Sequence, residues 1–249
     1  MNKKIRIVGS YLSPYVRKVL VCLHIKRVPY EIDPIVPFYG DEKFTVVSPL
    51  RRVPVFIDGD MTLADSTVIC EYLEEKYPSS RLFPSEASER ARCRWLEEYA
   101  DSLLGEVFIW HYFNQLVIRR FVWKEAPDEA LVKKAREHDI PRLLDYLEAE
   151  LPSSGYFFGA ISMADIALAS FFRNASFARW SIDPKRWPKV SAWLGLVLGH
   201  EGFTALQRFE EISLTTSIEN HRSVLKQEGA PVSSETFFTP IPTRGVLTI

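Results

Sequence analysis

The stretch Ile5-Arg6-Ile7-Val8-Gly9-Ser10-Tyr11-Leu12-Ser13-Pro14-Tyr15-Val16-Arg17-Lys18-Val19 changes period in its middle, and that change decides the fold. Its first four residues are a short run rich in β-branched side chains, closed by Gly9-Ser10, which predicts a strand. From Ser13-Pro14 onward, Val16, Val19, Leu20, Leu23 and His24 recur at helical spacing. Ser is a favoured N-cap and Pro a favoured first helical residue, so the helix start is specified locally.

Outward from there, Tyr30-Glu31-Ile32-Asp33-Pro34-Ile35-Val36 returns to strand alternation. Pro54-Val55-Phe56-Ile57 followed by Asp58-Gly59-Asp60 predicts a strand entering a tight hairpin, with Thr62-Leu63 opening the partner strand. Ser66 to Tyr77 reads as a helix with Val68, Ile69, Tyr72 and Leu73 on one apolar face, stopped by Pro78. The order β-α-β-(short helix)-β-β-α implies a small mixed sheet with helices against it. Beyond a linker at Phe83-Pro84-Ser85 the pattern turns helical, with segments near 86–119, 128–150, 162–179 and 187–198. The expected organisation is an α/β domain over 1–82, a linker at 83–85, an all-α domain over 86–212 and an extended tail over 213–249. The tail is rich in Ser, Thr, Pro and Gly, yet it carries Phe237 and Phe238. A strap over its own protomer or a neighbour, and a frayed terminus, are both open readings.

Composition removes several classes. The 249 residues carry 31 Lys+Arg against 32 Asp+Glu, a formal charge of -1. That balance supplies no broad cationic field, so nucleic acid is not expected as a partner. Cys22, Cys70 and Cys93 are few and cannot all pair, which favours a reducing compartment. Arg6 and Gly9 interrupt any secretory apolar core, and no run approaches the ~18 uncharged apolar residues of a membrane span. The expected location is cytoplasmic, without a membrane partner. The chain has no P-loop, no G-x-G-x-x-G after its first strand, no C-x-x-C and no G-x-S-x-G. Its five histidines show no metal-ligand spacing, so no metal is expected.

Three local features remain. Ser13 places a hydroxyl at a helix N-terminus, in positive potential suited to an anion such as a thiolate; helix capping alone also accounts for it. Val53-Pro54 opens a strand; a cis bond there would leave the Val53 N–H and C=O available to an extended peptide, whereas a trans edge residue would do nothing of the kind. Asp65-Ser66 precedes a helix and either residue could cap it. The same pair sets a carboxylate beside a hydroxyl and helix amides, which suits the ammonium and carboxylate of an α-amino acid.

In this order and spacing, and followed by helices, these features resemble the glutathione S-transferase superfamily over roughly residues 4–210, closest to its serine-dependent tau, theta, zeta or bacterial-like types. Ser162-Met163-Ala164-Asp165, after Gly155-Tyr156-Phe157-Phe158-Gly159, resembles the family's capping box in the helical domain. The resemblance implies a thioredoxin-like N-terminal domain, an all-α C-terminal domain and a homodimer. It implies that Ser13 donates to the sulfur of glutathione, with Tyr11 as the second candidate. Val53, beside a cis Pro54, would pair with the cysteinyl unit; Asp65 and Ser66 would hold the γ-glutamyl group; and Arg52 stands where the family often has a lysine. Ser48 stands where Asn usually precedes Pro, and Asp65 where Glu or Gln is commoner. Tyr11, Trp110 and Phe113 are the candidates for lining an apolar second-substrate pocket between the domains. The implied reaction is conjugation of the glutathione thiolate to small apolar electrophiles. A non-catalytic interaction module, or a glutathione-dependent isomerase, dehalogenase or ether-cleaving enzyme, is the alternative.

Overall fold

The computed structural model describes residues 4–244. Its contacts divide between a unit that joins the chain up to Ser80 with the chain from Glu201 onward, and a second unit, Arg81–His200. The class is the expected one, a small mixed sheet with helices followed by a helical domain.

In the first unit, β1 (Ile5–Val8), β2 (Tyr30–Asp33), β3 (Val55–Asp58) and β4 (Met61–Leu63) form one sheet in the order β2-β1-β3-β4. β1 and β2 are parallel and need a crossover, which α1 (Pro14–Ile25) supplies. The other two pairings are antiparallel, with Val8 opposite Val55 and Asp58 opposite Met61. β2 is shorter than its alternation suggests. Pro34 has no N–H for a ladder, and the chain leaves through a 3-10 turn at Pro37–Tyr39 into the short α2 (Glu42–Val47). α3 (Ser66–Lys76) buries Ser66, Ile69, Cys70 and Leu73. Val68, expected on that face, is 49% exposed, because the buried stripe follows the i, i+3, i+4, i+7 spacing from Ser66.

The boundaries expected near 212 differ from the division of contacts. α9 (Glu201–Thr215) packs against α1 within the first unit. The fully buried Arg17 donates through Nε to the buried Glu210 carboxylate and through a terminal nitrogen to the Tyr11 carbonyl at 3.3 Å. The Tyr11 and Phe209 rings lie 5.2 Å apart. Nor is the following segment wholly extended: it includes α10 (His221–Gln227). The tail then runs along β2, where Ile32 N–H donates to the Pro231 carbonyl at 2.8 Å and Ser233 N–H to the Ile32 carbonyl at 2.9 Å. This covers an otherwise open sheet edge. Residues 245–249 of the expected tail lie outside the described residues.

The second unit begins with α4 (Ala87–Tyr99), which runs on as a π-helix over Ala100–Trp123. α5 (Glu129–Lys134), a π turn at Ala135–Asp139, α6 (Ile140–Glu150), α7 (Met163–Phe177) and α8 (Pro188–Leu198) follow. Phe108 on the π-helix packs at a tilt against Phe172 of α7, with ring centroids 5.0 Å apart. Ser162 and Asp165 form the capping box of α7. Asp165 is completely buried, and one carboxylate oxygen accepts from Ser162 N–H (2.9 Å) and Oγ–H (2.6 Å). The other accepts from Phe157 N–H (3.2 Å) and the Trp193 indole (2.8 Å). Burial pushes this carboxyl above its ordinary pKa, and the four donors oppose that push. No helix among the described residues is long and apolar enough to cross a membrane.

Asp165→Ala leaves four donors, three of them buried, without their acceptor and removes one half of the α7 capping box. It should cost about 3–5 kcal/mol, read as a fall in the urea midpoint.

Candidate functional site

Ser13 is the N-cap of α1, extended at φ -78° and ψ 128°. Its Oγ accepts from Val16 N–H at 3.4 Å, and among the described residues its own proton has no acceptor. Capping and a free donor therefore coexist in one hydroxyl. The first turn of α1 contains no acidic side chain, so nothing on the helix offsets the positive end of its dipole.

Gly9 brings this helix start against the Val53 loop. Its φ is +147°, and a Cβ there would fall 2.4 Å from a Val16 methyl carbon and 3.0 Å from Val53 Cβ. Val53-Pro54 is cis. Among the described residues, neither the N–H nor the C=O of Val53 has a hydrogen-bond partner, which leaves the pair available to an incoming main chain. Ser48, completely buried, holds the loop from below. Its hydroxyl donates to the Arg52 carbonyl at 2.8 Å and accepts from Arg52 N–H at 2.9 Å.

The two neighbouring arginines have different fates. Arg51, in the left-handed region at φ 51°, donates to the Gly40 carbonyl and Thr45 Oγ1, both at 2.6 Å, and lies over the Phe44 ring. Arg52 is exposed, and its guanidinium has no hydrogen bond or ion pair among the described residues.

Asp65, not Ser66, caps α3, accepting from Val68 N–H at 3.0 Å. That division leaves the Ser66 hydroxyl, at the first position of α3, without a partner among the described residues. The buried Lys18 donates to Thr67 Oγ1 at 3.1 Å and so ties the first turn of α3 to α1. Ser13, Val53 and Ser66 thus stand on three elements that converge through Gly9 and Lys18. Sequence reasoning noted both residues without a role in the site; nothing local signals that Lys18 is buried.

Tyr11 is 1% exposed and packs its ring on Phe209, and among the described residues its buried hydroxyl has no hydrogen-bond partner. Burial, with Tyr30 close by, raises its pKa well above the ordinary tyrosine value. A side chain so placed is packed in the core rather than presented at the surface. Phe113 is likewise buried, within the second unit, while Trp110 is 36% exposed on the π-helix.

A model described as the glutathione S-transferase N-terminal domain matches residues 7–81, and one described as the C-terminal domain of the same family matches residues 129–195. The chain belongs to the glutathione S-transferase family. Among relatives, "Glutathione S-transferase 3" of Zea mays is 29% identical over 215 residues, covering 80% of this chain and 91% of that protein. "Glutathione S-transferase U1" of Arabidopsis thaliana is 26% identical over 208 residues, covering 78% and 84%. A solved glutathione S-transferase from Rhodospirillum rubrum F11 superposes with a TM-score of 0.74 at 28% identity, covering 81% of this chain and 91% of its own. The family is one of transferase enzymes, and this member has the family's two-domain fold.

The burial of Tyr11 sets a test. Tyr11→Phe removes a hydroxyl that was desolvated without compensation, so stability should hold or rise by about 1 kcal/mol in urea unfolding.

Proposed function

We propose that this enzyme binds glutathione on its first unit and conjugates the thiolate to small, largely apolar electrophiles. The observation that carries the reading is the Ser13 hydroxyl: capped on its acceptor side, free on its donor side, at an unquenched helix N-terminus. A free thiol has a pKa of about 8.5 and is only a few per cent ionised at neutral pH. Lowering that value by about two units takes roughly 2.7 kcal/mol of preference for the anion. One hydroxyl hydrogen bond to a charged sulfur, added to the helix terminus, is of that size.

The remaining unpartnered groups fit the rest of the tripeptide. The Val53 N–H and C=O suit the main chain of the cysteinyl unit. Ser66 and the first turn of α3 suit the γ-glutamyl carboxylate, and the second oxygen of Asp65 suits its ammonium. Arg52 carries a free positive charge for the glycine carboxylate. In the reaction, the glutathione thiol gives its proton to solvent and Ser13, keeping its own, donates to the sulfur anion; a carbon–sulfur bond then forms as the electrophile accepts the electron pair or loses its leaving group. Of the candidates Tyr11, Trp110 and Phe113, Trp110 is the exposed ring that an apolar second substrate could meet. In this reading the enzyme is a homodimer, whose mass native mass spectrometry would read directly.

Ser13→Ala should lower bound thiolate, followed by its ultraviolet absorbance, and kcat/KM by about ten- to a hundredfold, the equivalent of one to two pK units. Tyr11→Phe should leave both unchanged; a loss of thiolate in that variant, with Ser13→Ala unaffected, would falsify the assignment. Ser66→Ala should weaken glutathione binding by about 1–3 kcal/mol in calorimetry while sparing the ionised fraction of what binds.

A further inference from the structure

The described tail covers a sheet edge, and it also holds the segment that leads into the Val53 loop. Asp33, at the end of β2, accepts from the Arg222 guanidinium, Thr236 Oγ1–H and Phe237 N–H, each at 2.8 Å. Its own main-chain carbonyl accepts from Gly9 N–H at 2.9 Å, directly at the residue on which Val16 and Val53 close. The other face of Phe237 reaches α2. Its carbonyl accepts from Asp41 N–H at 2.7 Å, and Asp41 is the N-cap of that helix. Thr239 N–H donates to the Tyr39 carbonyl at 2.8 Å, and the Phe238 ring stacks on Tyr39 at 5.9 Å.

α2 cannot hold itself. It has six residues, well short of an independently stable helix, and its single buried side chain is Phe44. Phe44 is packed so closely under Gly40 that a Cβ at Gly40 would fall 2.3 Å from its ring. The Phe237 ring lies against Phe44, with centroids 6.3 Å apart, and the Arg51 guanidinium lies 5.6 Å from the Phe44 ring centre. Arg51 is anchored to Gly40 and Thr45 and is followed at once by Arg52 and Val53.

We propose that residues 231–239 are a strap that positions the glutathione-binding loop, with Phe237 as its positioning residue. This rests on the glutathione reading above for what the loop binds, and on the contacts alone for what holds the loop. Among the described residues the strap makes no hydrogen bond to Ser13. Its loss therefore acts on binding of the tripeptide and leaves thiolate formation in place.

The test uses the full chain with Phe237→Ala, Phe237→Tyr and, as a milder variant, Thr236→Val. With glutathione and an activated aryl chloride, Phe237→Ala should raise the KM for glutathione about three- to tenfold with kcat within about twofold. Phe237→Tyr should restore the parent value, and Thr236→Val should move KM in the same direction by less. Hydrogen exchange without ligand should quicken across residues 41–52 in Phe237→Ala, while α1 and α3 keep their protection. Unchanged exchange over 41–52 overturns the strap whatever glutathione does, as does a loss confined to kcat. Absence of glutathione binding by the parent protein overturns the functional reading instead, and the exchange data still decide the strap. Should Phe237→Ala fail to fold, the exchange and KM of Thr236→Val decide it.

Discussion

A missing methyl group at residue 9 is the constraint on which the first unit depends. Three segments meet there: the end of β1, the first turn of α1 through Val16, and the loop before β3 through Val53. Any side chain would be strained at φ +147° and would collide with a Val16 methyl carbon at 2.4 Å. Relief would require α1 or the Val53 loop to withdraw. Withdrawal of either separates the hydroxyl at the helix start from the unpartnered main chain of Val53. The geometry proposed to receive a sulfur and the peptide beside it therefore follows from one residue's lack of a Cβ.

The polar groups around that junction fall into two populations with different energetics. One is consumed by structure. Ser48 closes the loop on Arg52, Arg51 locks onto α2, Asp65 caps α3 and Arg17 pairs with Glu210 in the interior. A buried pair such as Arg17–Glu210 is a weak net source of stability, but removing one partner is expensive, so it fixes how α9 lies on α1. The other population is left over: the Ser13 proton, the Val53 amide and carbonyl, the Ser66 hydroxyl and the Arg52 guanidinium. Leaving such groups without protein partners beside a fixed scaffold is what ligand recognition requires, since a ligand then gains hydrogen bonds without first breaking any.

Legibility in the sequence followed the range of the interactions. The Ser13-Pro14 helix start, the Gly59-Asp60 hairpin and the Ser162–Asp165 capping box are set by neighbours within four residues, and each was readable. Tyr11 and Ser13 were not separable by the same means, because both are hydroxyls in one loop. What separates them is Phe209, a ring 198 residues away that takes Tyr11 into the core. Arg51 and Arg52 look alike in sequence; the left-handed backbone at Arg51 turns one into α2 and leaves the other outside. Val68, apolar yet exposed, stands off the buried face of α3, whose stripe Ser66, a small polar residue, helps to define. The second-substrate candidates were weakest, since an aromatic run on a helix carries no mark of which rings are buried, and Phe113 and Tyr112 are.

The tail shows the same limit at its longest range. Its Ser, Thr, Pro and Gly content is that of a solvated segment, and no periodicity within it names a partner. The partner is Asp33, whose buried carboxyl burial pushes up and three tail donors and the Arg6 charge pull back. With the tail in place the carboxylate is desolvated, and the donors that the tail brings offset the cost of that burial. The tail and the end of β2 thus satisfy each other's polar groups. The same Asp33 holds Gly9 through its main chain, so one residue takes the tail on its side chain and the junction on its carbonyl, by two separate sets of bonds.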